Sequence, residues 1–144
     1  MSKQVCTFYL ENQIYGLYVL QVREVLRCQE LTTIPLAPGA VRGLLNLRGS
    51  IVTTVDLRRR LGLPPDESGE PATNVVAQTA TGLVSLLVDR IGDVVEVEAE
   101  ALEPPPGVLP EPLRSLIANV CKLPTGLLLI LNLERAMELD AFPA

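Results

Sequence analysis

The run Gly43-Leu44-Leu45-Asn46-Leu47-Arg48-Gly49-Ser50-Ile51-Val52-Thr53-Thr54-Val55-Asp56-Leu57 decides the fold of this 144-residue chain. One apolar segment enters Arg48-Gly49 and a second leaves it. Two short aliphatic strands joined by so tight a reversal make a hairpin, and glycine suits the reversal because it takes positive φ at little cost. Asp56 stands where an N-cap belongs, ahead of Leu57-Arg58-Arg59-Arg60-Leu61 and the stop Gly62. Arg48 is thereby held between strands whose other residues belong in a core. On its own it reads as a surface arginine at a hairpin end.

Working outward, residues 5–10 and 14–19 pair as a hairpin around Glu11-Asn12-Gln13. Residues 22–26 continue extended, or as one helical turn followed by a strand. Pro35 and Pro38-Gly39 end this block. Downstream, the segment 62–72 holds Pro64-Pro65, several acidic residues and Pro71, and has nothing to bury, so it is expected to be an exposed linker between two units. Strands over 74–79 and 83–88 turn at Thr81-Gly82, and 93–98 follows. A proline-rich loop over 104–112 leads to strands over 115–123 and 127–131. Asn132 caps a final helix over 133–139.

The halves repeat. Gly16-Leu17-x-x-Leu20-x-Val22-x-x-Val25 matches Gly82-Leu83-x-x-Leu86-x-Val88-x-x-Ile91, and the stretch from Gly49 to Arg59 echoes that from Gly126 to Arg135. Each half is strand, strand, extended turn, strand, turn, strand, capped helix. Short strands with closely spaced turns predict two small β units, each closed as a barrel that leaves no free edge. The expected division is 1–65 for the first barrel and 66–144 for the second, with a terminal strand or helix free to cross over.

Composition narrows the chemistry. Hydrophobic residues make up 48% of the chain, yet Phe8, Tyr9, Tyr15, Tyr18 and Phe142 are its only aromatics, so the core is aliphatic. A chain this long needs no disulfide or metal to fold. Cys6, Cys28 and Cys121 are an odd, scattered set among apolar neighbours and read as reduced core cysteines. The sequence contains no histidine, which removes Ser-His, Cys-His and His-ligated metal chemistry together. No apolar run reaches the roughly 20 residues of a membrane helix, and the first residues carry no signal-peptide pattern, so a cytoplasmic protein without membrane insertion is expected. Net charge is −5, split as +4 over residues 1–65 and −9 over 66–144. Nucleic acid is not an expected partner, because the basic excess is modest and aromatics are few. Opposed halves point instead to oriented docking between proteins.

Single residues divide between bland and functional readings. Glu24 is either a solvated strand residue or a contact residue. Arg58-Arg59-Arg60 reads as a solvated helix face. Asp89, Asp93, Glu96, Glu98, Glu100 and Glu103 do not follow a calcium-loop pattern and alternate toward solvent. Neither a metal nor a cofactor is expected.

Three segments in order carry a resemblance: Val22-Arg23-Glu24-Val25-Leu26, Asn46-Leu47-Arg48-Gly49, and Val55-Asp56-Leu57-Arg58-Arg59-Arg60-Leu61-Gly62. With Leu87-Val88-Asp89-Arg90-Ile91 and Leu129-Ile130-Leu131-Asn132-Leu133-Glu134, they resemble the CheW family of chemotaxis coupling proteins over nearly the whole chain. The resemblance implies an all-β fold of two five-stranded, SH3-like barrels side by side. It implies an adaptor without catalysis that bridges the cytoplasmic tips of methyl-accepting chemoreceptors to a CheA-type histidine kinase, monomeric when free and part of a larger array when bound. The receptor-binding residues carried over by position are Val22, Glu24, Val25, Gly43, Leu47, Arg48 and Gly49; no residues are assigned to the kinase. Thr53 replaces a frequent proline, Asn119 a frequent glycine and Asn132 a usual aspartate. The other readings kept open are the same module in another chemosensory pathway, governing twitching motility or a second messenger, and a small-molecule-binding β-barrel using carboxylates near Asp93.

Overall fold

The computed structural model describes residues 1–27, 29–37 and 39–138. Cys28, Pro38, Leu139 and Phe142, all used above, lie outside the described residues. Ten strands account for about half of the described residues: β1 (Ser2–Leu10), β2 (Gln13–Tyr18), β3 (Val22–Arg27), β4 (Val41–Leu47), β5 (Ser50–Asp56), β6 (Thr73–Thr79), β7 (Gly82–Val88), β8 (Arg90–Glu98), β9 (Ile117–Leu123) and β10 (Gly126–Leu131). Three single-turn helices punctuate them: α1 (Leu57–Arg60), α2 (Leu113–Leu116) and α3 (Leu133–Ala136). Residues 22–26 are extended within β3, the first of the two forms expected for them, and a 3-10 turn over Val19–Gln21 leads into that strand.

The strands form two five-stranded sheets, in the orders β8-β1-β2-β10-β9 and β3-β6-β7-β5-β4. Both close by one device. The chain after the first edge strand returns to the opposite edge: Thr32 and Leu44 exchange backbone hydrogen bonds of 2.9 and 2.8 Å, and Glu103 and Val120 do the same at 2.9 and 2.8 Å. The expected pair of SH3-like barrels is therefore present, and closure leaves little free edge for uncontrolled pairing.

The division at residue 65 does not hold. β3 to β7 make one barrel, while β1 and β2 join β8, β9 and β10 in the other. A two-stranded hairpin cannot bury its faces alone. The β1–β2 hairpin does so by pairing β2 in parallel with β10, far away in sequence, at Tyr15↔Leu129 and Gly16↔Ile130. The segment 62–72 is largely exposed, as expected, but it connects α1 to β6 within one barrel rather than linking two. The charge asymmetry changes accordingly. Residues 22–88 carry seven Lys/Arg and six Asp/Glu, a net +1, and the remainder carries five and eleven, a net −6.

The internal repeat is real, but its first register is three residues out. The hairpins β1–β2 and β6–β7 each close on a two-residue turn, at Leu10↔Gln13 and Thr79↔Gly82. Gln13 therefore matches Gly82, and Gly16 matches the buried Ser85. The second match is in register at its helix: Leu47↔Ser50 and Leu123↔Gly126 place Asp56 opposite Asn132. Both are N-caps, accepting from Arg59 N at 3.4 Å and Arg135 N at 3.1 Å.

Apolar residues sort into three cores. The largest contains Phe8, Tyr15 and Leu17 from one sheet, Val75, Ala77 and Leu86 from the other, and Leu57, Leu116 and Leu133 from the helices, so it cements barrel to barrel. Val5, Val97, Cys121, Leu128 and Ile130 fill one barrel, and Leu45, Val52 and Val76 fill the other. The expected strand over 115–123 starts later, at Ile117. Residues 113–116 make a helical turn instead, because the Glu111 carboxylate accepts from the Ser115 backbone N–H and hydroxyl at 3.0 and 2.6 Å, a local side-chain bond that competes with the extended form.

Candidate functional site

The β4–β5 turn is built from both residues expected there. Arg48 and Gly49 have φ of 50° and 90°, so both are left-handed, as a type I′ turn requires. Arginine is uncommon in that region. Asn46 steadies the turn by accepting from Gly49 N at 3.1 Å. The Arg48 guanidinium then reaches Glu24 on β3 and holds both carboxylate oxygens, Nη1 to Oε1 at 3.1 Å and Nη2 to Oε2 by a still shorter contact. Since β3 and β4 are the two edges of one sheet, this forked pair crosses the seam of a single barrel. Hydrogen bonding from Arg48 holds the Glu24 carboxyl below its ordinary value, and Glu24 in turn raises the guanidinium.

The structure places the other five expected site residues as follows. Val22 packs against the inter-barrel core, and Leu47 packs against the interior of the β3–β7 barrel. Gly43 lies at the closing point. A Cβ built on it would stand 2.5 Å from the Thr32 carbonyl oxygen, so the returning chain could not approach. Gly49 serves the turn. Val25 is 40% exposed on the outward face of β3, alternating with Glu24. The surface thus offers Glu24, Arg48 and Val25, with Leu20 almost wholly exposed just upstream.

A second constellation was missed at the sequence level. Arg58 and Arg60, read as a solvated face, are only 8% and 4% exposed. α1 is one turn long and sits against the inter-barrel core, so Leu57, Arg58 and Arg60 turn inward while Arg59 stays exposed. Arg60 donates to the carbonyls of Ala136 and Arg135 at 2.7 and 2.8 Å, closing the C-terminal end of α3, and burial lowers its pKa. Arg58 holds Asp89 with Nε at 2.8 Å and Nη2 at 2.5 Å, the Pro64 carbonyl at 2.8 Å and Glu11 at 3.4 Å. Asp89 also accepts from Glu11 N at 2.7 Å. The Asp89 hydrogen bond raises the Arg58 pKa. Tyr15 beneath is pushed up to about 12, chiefly by burial and then by Glu11 and Asp89. The available sign was the pairing of Asp56-Leu57-Arg58 with Val88-Asp89, two segments already singled out, but their meeting depends on the parallel pairing of β5 with β7.

Two open clefts flank this cluster, of about 320 and 610 Å³, and Asp93 lines neither. Among the described residues, no group of three or more Cys, Asp or Glu is arranged to hold a metal ion, and no helix is long and apolar enough to cross a membrane.

Comparison with known proteins agrees with this architecture. The CheW-like domain matches residues 4–141. This chain belongs to the CheW-like domain family. It is 29% identical over 136 residues to the chemotaxis protein CheW of Treponema pallidum, covering 92% of this chain and 80% of that protein. It is 26% identical over 138 residues to chemotaxis protein CheW of Klebsiella aerogenes, covering 96% and 83%. The crystal structure of the scaffolding protein TtCheW from Thermoanaerobacter tengcongensis superposes with a TM-score of 0.89 at 25% identity, covering 100% of this chain and 98% of that one. In this CheW-like domain the segment from Asp56 to Arg58 therefore has two structural tasks: Asp56 caps α1, and Arg58 ties one barrel to the other.

Proposed function

We propose that this chain is a chemotaxis adaptor that holds a CheA-type histidine kinase and the cytoplasmic tip of a methyl-accepting chemoreceptor in one assembly, and catalyses no reaction itself. The observation that carries this reading is the Glu24–Arg48 pair. A forked ion pair fixed by a type I′ turn on one side and a paired strand on the other presents charge in a defined geometry. Val25 and Leu20 offer aliphatic surface near it. A helix docked on such an edge gains affinity from the aliphatic contacts and register from the charges. The clefts argue for no small-molecule chemistry, because the carboxylates at their centre are engaged by Arg58.

Capture experiments with the purified chain test the assignment. Binding to both a CheA-type kinase and a receptor-tip fragment is expected. Binding to a receptor and kinase of a twitching or second-messenger pathway alone would move the protein to that pathway. Failure to bind any receptor-tip fragment would remove the adaptor reading.

A further inference from the structure

We propose that residues 63–72 form a strap latched by Arg58, and that opening the strap and loosening the junction between the barrels are one event. The strap begins just after Gly62, whose φ of 78° sets the turn out of α1. It has internal structure of its own: Asp66 accepts from Ser68 N at 2.9 Å, and Ser68 Oγ accepts from Glu70 N at 3.1 Å. These Asx-type and Ser-type turns make 66–70 a small unit able to move as one piece. Leu63 at its root packs against the inter-barrel core, and its polar ties to the body are few. Leu63 N donates to the Arg58 carbonyl at 2.8 Å, Pro64 O accepts from Arg58 Nη1 at 2.8 Å, and Asp66 lies 4.0 Å from Arg58 Nη2. Among the described residues, every hydrogen bond or ion pair from 63–70 to the body leads to Arg58. On either side the strap walls one of the two clefts, through Asp66, Glu70 and Ala72 in both cases.

The same guanidinium faces the other way onto the junction. Asp89 lies where the chain crosses from β7 of one barrel to β8 of the other, and Glu11 is the turn residue of the β1–β2 hairpin. Asp89 is held by two guanidinium nitrogens and itself holds the Glu11 amide. Planar and rigid, guanidinium cannot re-aim one donor without moving the rest. A shift at Asp89 therefore alters the donors left for Pro64 and Asp66, although Asp89 makes no hydrogen bond to the strap. Arg58 is a positioning residue in this account: it links the strap to the junction between the barrels beside the largest apolar core.

Hydrogen–deuterium exchange on the full chain tests this with two variants. Arg58→Lys keeps the charge but loses the fork. Asp89→Asn keeps the shape but loses the charge that fixes the fork. In both, the amide of Leu63, the strap amide bonded to the body, is expected to exchange about tenfold faster, together with that of Glu11, while core amides such as Val75 and Leu86 keep their protection. Cleavage by a glutamate-specific protease after Glu67 or Glu70 should accelerate in parallel. The result for Asp89→Asn separates coupling from local support. If Glu11 loosens and the Leu63 amide does not change, the latch is disproved. If Val75 and Leu86 lose protection by the same factor as the strap, the effect is global unfolding and the proposal also falls. Should Arg58→Lys not fold, Asp89→Asn decides alone.

Discussion

At the hairpin tip of the β3–β7 barrel stands Arg48; at the matching tip of the other barrel stands Pro124. The strand position opposite is Glu24 in the first and Asp93 in the second. One seam is thus pinned by a forked ion pair, while in the other barrel the Asp93 carboxylate has no ion pair among the described residues and its backbone carbonyl accepts from the Thr7 hydroxyl. The interiors differ in the same sense. Where one barrel buries Val5, Gly16 and Ile130, the other buries Asn74, Ser85 and Thr54. Asn74 Nδ2 donates to Ser85 Oγ at 2.9 Å, and the Thr54 hydroxyl has no partner among the described residues. Two copies of one topology have therefore diverged in opposite ways. One barrel keeps an aliphatic interior and a plain rim. The other accepts polar groups inside and carries a fixed charge pair at its rim, and specific recognition is what such a pair supplies better than raw affinity.

The largest effect expected from breaking this symmetry is at the closing point. Gly43→Ala places a Cβ against the Thr32 carbonyl, a backbone atom that cannot rotate away, and should cost about 2–3 kcal/mol in chemical denaturation. Its counterpart in the other barrel is Asn119, which already carries a side chain. Asn119→Ala loses only the 3.3 Å hydrogen bond from Tyr18 and should cost about 1 kcal/mol or less. Equal costs would mean that the barrels do not close on the same plan.

Thr54→Val makes one interior more like the other. Removing an unpartnered buried hydroxyl without changing shape should raise stability by about 1 kcal/mol. A loss of stability would mean that a bound water satisfies the hydroxyl.

A smaller effect is expected at the charged rim. Its carboxyl is depressed below the ordinary 4.5 by hydrogen bonding from Arg48, so the pair stabilises the fold above the unfolded-state pKa of Glu24. That contribution disappears as pH falls through the lower folded-state value. The melting temperature of Arg48→Ala should therefore lie slightly below that of the unmodified chain at pH 7, and the two should converge in acid. A gap that is constant down to the acid transition would assign the difference to the turn instead.

How much of this was legible in the sequence depends on range. The hairpin turn at Arg48-Gly49 and the caps Asp56 and Asn132 are local, and each was read correctly because turn and cap chemistry needs only neighbouring residues. The sequence left a terminal strand free to cross over but could not say which: the pairing of β2 with β10 joins residues more than a hundred apart, and no local pattern encodes it. The same limit hid Arg58. Three consecutive arginines look solvated in one dimension, yet two of them turn inward to carbonyls and carboxylates supplied by distant segments. Of the seven residues expected at the receptor site, alternation alone could not separate Leu47, which packs inward, from Arg48 beside it, because the turn interrupts the strand period.

The proposed receptor site lies on the barrel with the pinned rim. A calorimetric titration of a receptor-tip fragment into the unmodified chain, Arg48→Ala and Pro124→Ala tests it directly, with melting curves of each protein alongside. Arg48→Ala should bind about tenfold more weakly or worse, and Pro124→Ala should bind like the unmodified chain. Unchanged affinity for a folded Arg48→Ala, or an equal loss in Pro124→Ala, would contradict the account.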